Sequence, residues 1–144
     1  MSHISTYTTD LQLNSVKSER AAKNDASWQL FREALETVAE EHGGKVTNKI
    51  SNYFGHPREC TFALQVPQFR YGLGIDVDKK TGKVSFLYDE YGVREEVVES
   101  LKKQIKQTFT TLAVGEALHE LNYQVEYEEN VEEDSKQILV RGVM

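Results

Sequence analysis

The chain has 144 residues, 39% hydrophobic and 28% charged, the balance of an ordinary globular domain rather than a repetitive or disordered one. Its net charge of −6 arises entirely within residues 73–144, where nine Lys/Arg face fifteen Asp/Glu; residues 1–72 hold eight of each. That sign disfavours nucleic acid as a partner, because phosphate neutralisation supplies most of such affinity, and the single cysteine, Cys60, excludes an intrachain disulfide framework.

A chain of this length should bury roughly 68–70% of the surface its unfolded form exposes, enough for one core without metal or disulfide. Its apolar runs fall far short of the ~20 residues of a membrane helix. Met1-Ser2-His3-Ile4-Ser5-Thr6 lacks the basic and apolar stretches of a secretory signal. Val140-Arg141-Gly142-Val143-Met144 matches no lipidation motif. The expectation is a single cytoplasmic domain spanning 1–144, with no membrane partner.

Ile4 to Leu13, rich in Thr with Tyr7 among them, has strand composition, and its polarity places it near a sheet edge. Residues 14–26 lack an apolar stripe and read as a partly helical surface excursion. Trp28, Phe31, Leu35, Val38 and His42 recur at steps of three and four, which predicts a helix capped by Asp25 or Ser27 and closed by Gly43-Gly44. Strands follow at Val46–Phe54, closed by Gly55-His56-Pro57, at Cys60–Val66 and at Tyr71–Asp78. In the second, Phe62, Leu64 and Val66 alternate with Thr61, Ala63 and Gln65; in the third, Leu73, Ile75 and Val77 alternate with Gly72, Gly74 and Asp76. Asp78-Lys79-Lys80-Thr81-Gly82 is a hairpin turn into a strand lined by Val84, Phe86 and Tyr88.

A long helix then spans about Arg94 to Leu121 on the stripe Val97, Val98, Leu101, Ile105, Phe109, Leu112 and Leu118. Thr108, Thr110, Thr111 and Gly115 mark where it would kink or split, and Asn122 is its expected C-cap. Strands at Tyr123–Glu128 and Lys136–Val143 finish the chain around an acidic turn. The order β-α-β-β-β-β-α-β-β predicts an α+β fold: a mostly antiparallel sheet with two main helices on one face. A β-α-β-β unit at each end hints at an internal pseudo-repeat.

Five segments together resemble the hypothetical chloroplast reading frame 35 family, also known as domain of unknown function 1257. They are Met1-Ser2-His3-Ile4-Ser5-Thr6, Gly74-Ile75-Asp76, Tyr88-Asp89-Glu90-Tyr91-Gly92, Ala117-Leu118-His119-Glu120-Leu121 and Ile138-Leu139-Val140-Arg141-Gly142. The resemblance implies a small protein of bacteria and plastids, associated through neighbouring genes with an AAA-type ATPase. It implies no catalytic residue and no cofactor.

His56 and Cys60 stand four apart on a loop without the second ligand pair of a structural zinc site, so no metal is expected and Cys60 reads as a small core residue. His42, on its helix stripe, reads as a satisfied core histidine. Asp76, Asp78, Asp89 and Glu90 crowd one hairpin; Asp78 suits a turn, while Asp89 and Glu90 lead into the next helix. Gly72-Leu73-Gly74 lies within a strand, so it fails as a phosphate loop and marks a bulge or a helix packed close overhead. Glu126, Glu128, Glu129, Glu132, Glu133 and Asp134 put six carboxylates in nine residues, a solvated hairpin end or a docking edge for a basic partner. Tyr7, Tyr53, Tyr71, Tyr88, Tyr91, Tyr123 and Tyr127 would stack across strands as structure or, exposed together, form an interaction face. The expected function is a non-enzymatic protein-binding adaptor, working with an AAA-type ATPase. The alternative is a small enzyme or ligand-binding domain using Asp76 and Asp78 with His3 or His56.

Overall fold

In the computed structural model, which describes residues 4–121, 124–132 and 135–143 and side chains within 4–121, the elements run β1 (Ile4–Gln12), α1 (Glu19–Asn24), α2 (Ala26–Glu41), β2 (Lys45–Ser51), β3 (Pro57–Gln65), β4 (Leu73–Val77), β5 (Lys83–Asp89), α3 (Glu95–Glu120), β6 (Gln124–Glu132) and β7 (Ser135–Val143). The fold is α+β, with a five-stranded antiparallel sheet in the order β1-β5-β4-β3-β2. The polar β1 is indeed an edge strand. The last two strands depart from the expected single sheet. They pair only with each other, Glu132 opposite Ser135 at the closed end, and lie against α3.

The excursion at 14–26 contains the short α1, capped by the Ser18 side chain, and it is tied down at both ends. Leu13 donates its N–H to the Gly82 carbonyl at 2.7 Å, and Val16 donates to Lys79 at 2.7 Å, so the β4–β5 turn is clasped to the chain that leaves β1. Gly82 has φ +75°, and a Cβ there would collide with the Leu13 backbone; this turn position needs glycine for two reasons. Asp25 is the N-cap of α2, its Oδ1 accepting the N–H of Ser27 at 2.9 Å and of Trp28 at 3.2 Å. Asn14 donates to the same carboxylate, and the Trp28 indole donates to the Asn14 carbonyl at 2.9 Å. Burial pushes the Asp25 carboxyl up, but the bonds from Ser27, Asn14 and Trp28 outweigh it, and the net shift is downward.

Residues Thr108 to Gly115 cause no break: α3 is one continuous helix. The Phe109 ring meets Phe31 of α2 edge-on at 5.3 Å, and Gly115 is buried, so packing overrides weak local propensity. Asn122, the expected C-cap, lies outside the described residues, and Leu121 holds the cap position. His42, at the end of α2, is satisfied from two sides by Gln104 of α3 at 2.7 Å and Gln68 at 2.8 Å.

Strand alternation divides the sheet into two faces. Phe62, Leu64, Leu73, Ile75, Val77, Val84, Phe86 and Tyr88 pack on the helices against Trp28, Phe31, Leu35, Val38, Val98, Leu101 and Ile105. Tyr7 stacks on Tyr88 at 4.9 Å, with the Lys102 ammonium 4.7 Å from the Tyr7 ring centre. On the opposite face Ile50, Ala63 and Leu87 form a second, smaller buried cluster joined by Ile4 and Cys60.

Two predictions follow from these ties. Deleting residues 1–11 removes most of the β1–β5 ladder, the Tyr7–Tyr88 stack and the ion pair in which Lys106 donates to Asp10 at 2.6 Å. The loss should reach several of the ~5–15 kcal/mol a domain possesses, lowering the calorimetric melting temperature by about 10–20 °C; an unchanged midpoint would refute it. Asp25→Ala should cost ~1 kcal/mol at neutral pH in denaturant titration. Because the folded pKa of Asp25 lies below 3.8, its contribution is fully present above that pH and fades as pH falls beneath it, so the deficit of the variant should shrink there.

Candidate functional site

A bulge bends the β2–β3 hairpin. Thr47 stands opposite Ala63, yet Lys49 stands opposite Glu59, so β3 carries extra residues and the ladder shifts register. Beyond the bulge the hairpin curls across the open face. An added Cβ on Gly72 would lie 2.9 Å from Ile50 Cγ2, and one on Gly74 would lie 3.1 Å from Ile50 Cδ1 and 3.0 Å from Cys60 Sγ. The Gly72-Leu73-Gly74 stretch is thus a notch for close approach, but Ile50 of β2 and Cys60 of β3 fill it, not the helix its strand context suggested.

The tip of this hairpin lands on Asp89, a residue 2% exposed at the end of β5. Asp89 Oδ2 accepts the Tyr53 N–H at 2.8 Å, and Oδ1 accepts the Tyr91 N–H at 2.9 Å. One carboxylate therefore joins the tip to the turn that enters α3. The tip itself is closed by Asn52, whose Oδ1 accepts the N–H groups of Phe54 at 2.9 Å and His56 at 3.0 Å.

This geometry gathers aromatic rings from three separate loops. Tyr53 lies 4.4 Å from Tyr91, 5.3 Å from Phe54 and 6.2 Å from Tyr71, the last two edge-on. His56 is 6.3 Å from Phe54, and the Arg70 guanidinium sits 5.7 Å from the Tyr71 ring centre. Tyr53 is 45% exposed, Phe54 61% and Tyr91 56%, so a contiguous aromatic surface faces solvent. The sequence singled out Tyr53, Tyr71 and Tyr91 as residues but not their meeting, and it missed Phe54. The available signal was an aromatic pair, Tyr53-Phe54, directly before a Gly-His-Pro turn, where polar residues are the rule.

The carboxylates proposed for catalysis are occupied otherwise. Asp78 Oδ1 accepts from Lys80 and Thr81 N–H and shapes the β4–β5 turn. Asp76 accepts the Thr61 N–H at 3.0 Å and approaches Arg58 at 4.0 Å. His56 shares no hydrogen bond with either and faces Asn52 and Phe54 instead. His3, Glu133 and Asp134 lie outside the described residues; Glu126, Glu128, Glu129 and Glu132 lie on β6, with Glu126 opposite Arg141 in the ladder. Among the described residues no three His, Cys, Asp or Glu side chains are grouped to hold a metal, and no helix is long and apolar enough to cross a membrane.

Behind the bent hairpin an open cleft of about 930 Å³ runs between β2–β3 and the α1–α2 corner, floored by Trp28, Phe62 and Val77 and touched by Cys60 and Asp76. Its thiol is no nucleophile at neutral pH: burial, reinforced by the Asp76 charge, pushes Cys60 up to about 11. No family model, curated protein or solved structure matches the chain.

A chemical prediction follows. At pH 8 the thiolate of Cys60 should be at least about tenfold scarcer than in the unfolded chain, so alkylation by iodoacetamide should be slower by that factor or more. The native rate should keep climbing through pH 9 and 10 without levelling. Mass spectrometry of quenched samples checks both, and equal native and unfolded rates would overturn the assignment.

Proposed function

We propose that this chain is a cytoplasmic, non-enzymatic protein-binding adaptor whose docking surface is the aromatic cluster of Tyr53, Phe54, Tyr71 and Tyr91. The observation that carries the reading is that rings from three loops are drawn together and left exposed. Aromatic side chains supply large contact area with few rotamers to freeze, and Tyr and Arg are the residues that dominate interface energetics. Arg70 over Tyr71 adds the second of these types to the rim. Against an enzymatic reading, Asp76 and Asp78 serve backbone donors and Cys60 is held as a neutral thiol.

The resemblance to the reading frame 35 family supplies the class of partner, an AAA-type ATPase. In this reading the acidic run from Glu126 to Asp134 steers the encounter with a basic partner surface, while the aromatic cluster provides the anchor.

The test is a paired purification from the native host with the tagged parent and with Tyr53→Ser/Tyr91→Ser, followed by calorimetry with each purified partner. The double variant should weaken binding by about thirtyfold or more, as loss of central aromatic anchors does, with little change in melting temperature. Equal affinity for parent and variant would remove the cluster from the function, and tight binding of a single-stranded oligonucleotide at the cluster would replace a protein partner with nucleic acid.

A further inference from the structure

We infer that the aromatic surface is a latched assembly: the Asp89 carboxylate is the latch that carries the β2–β3 tip onto the β5–α3 turn, and the ring cluster exists only while that latch is engaged. The tip is a unit in its own right. Asn52 closes it through Phe54 and His56 N–H, and backbone bonds from Asn52 N to the His56 carbonyl and from Gly55 N to the Asn52 carbonyl complete the loop. Its anchorage differs in kind. Ser51 N–H donates to the Tyr71 carbonyl at 2.9 Å at the root, and the Tyr53 N–H donates to Asp89 beyond it. Ser51 is therefore the hinge, and a tip that swings about it keeps its internal bonds.

The latch depends on the chemistry of a carboxylate. Tyr53 and Tyr91 each approach a different oxygen, so both corners of the group must accept. An amide of the same shape offers one accepting oxygen and turns an N–H₂ donor toward the other partner. Asp89→Asn thus breaks the bond to one of these two amides and opposes donor to donor at a residue that is 2% exposed, where an unmatched polar group is costly. Releasing Tyr53 separates its ring from Tyr91, 4.4 Å away, and with it the contact that unites the two halves of the cluster.

Amide exchange by NMR tests the latch without any partner. In the parent under mildly denaturing conditions, the Tyr53 and Tyr91 amides should open in a step separate from the Ile75 and Phe86 amides of the central strands β4 and β5. In Asp89→Asn the Tyr53 amide should exchange at least about tenfold faster and the Tyr53–Tyr91 ring contact should vanish, with Ile75 and Phe86 protection retained. Opening of all four amides together in the parent would make Asp89 part of the global core and overturn the latch, as would an intact ring contact in the variant. Should the variant fail to fold, the parent measurement alone decides. The link to docking rests on the reading above and separates cleanly from it: a latch that opens while partner affinity holds would sink that reading and leave the latch standing.

Discussion

Ile50 rests against a backbone, and the rest of the molecule depends on its being able to do so. Its methyl groups occupy the space where side chains on Gly72 and Gly74 would begin, within 2.9 and 3.1 Å of ideal Cβ positions. Contacts that close leave no room for even an alanine without displacing Ile50, and displacing Ile50 lifts the hairpin. Gly72 has a second reason to be glycine, since its φ is +91°. Once the hairpin is down, Arg58 reaches Asp76, Cys60 fills the remaining hollow over Gly74, and Tyr53 arrives at Asp89. The cleft behind the hairpin and the aromatic surface before it are two consequences of one bend.

What could be read in the sequence follows the range of the interaction involved. The Asp78–Gly82 turn was legible because its cap, its glycine and the flanking alternation lie within a dozen residues. The two helices were legible for the same reason, their stripes being periodic and continuous. The continuity of α3 through Thr108–Gly115 was not, because Phe109 meets Phe31 from a helix almost eighty residues earlier. Asp89 was read as a lead-in to that helix; its actual partner at Tyr53 is 36 residues away, and no local pattern encodes a distance of that kind. The notch at Gly72 and Gly74 stood between. Two glycines in a strand announced that something comes close, but not that it would be Ile50. For β6 and β7 the local pattern identified two strands, yet such a pattern is silent on which sheet a strand joins, and these two join each other.

Carboxylates are plentiful here, and four of them answer backbone donors. Asp25 caps α2, Asp78 shapes a turn, Asp76 receives Thr61, and Asp89 receives Tyr53 and Tyr91. The ion pairs contribute less. Arg32–Glu36, Lys79–Glu19 and Arg94–Glu96 are solvent-exposed contacts of the kind worth ~0–1 kcal/mol each. No buried side-chain nitrogen or oxygen among the described residues lacks a partner. In the cleft, Asp76 receives the Thr61 N–H and the Cys60 thiol is held protonated.

The apolar account is the reverse, with surface left over after folding. Tyr53, Phe54 and Tyr91 keep roughly 300 Å² open between them, taking about half of the 150–250 Å² an aromatic side chain can bury. At ~25 cal/mol per Å² that is about 8 kcal/mol of gross driving force for covering them. Association itself costs an estimated ~4–15 kcal/mol, so the rings alone cannot hold a partner tightly. A stable complex needs nearer ~800 Å² on each side, and the additional area must come from what surrounds the rings. Tyr71 with Arg70 and His56 on the tip supply part of such a rim. The aromatic cluster is then the centre of an interface and not its whole extent, which is the arrangement in which a few desolvated anchors dominate affinity and a polar border excludes water.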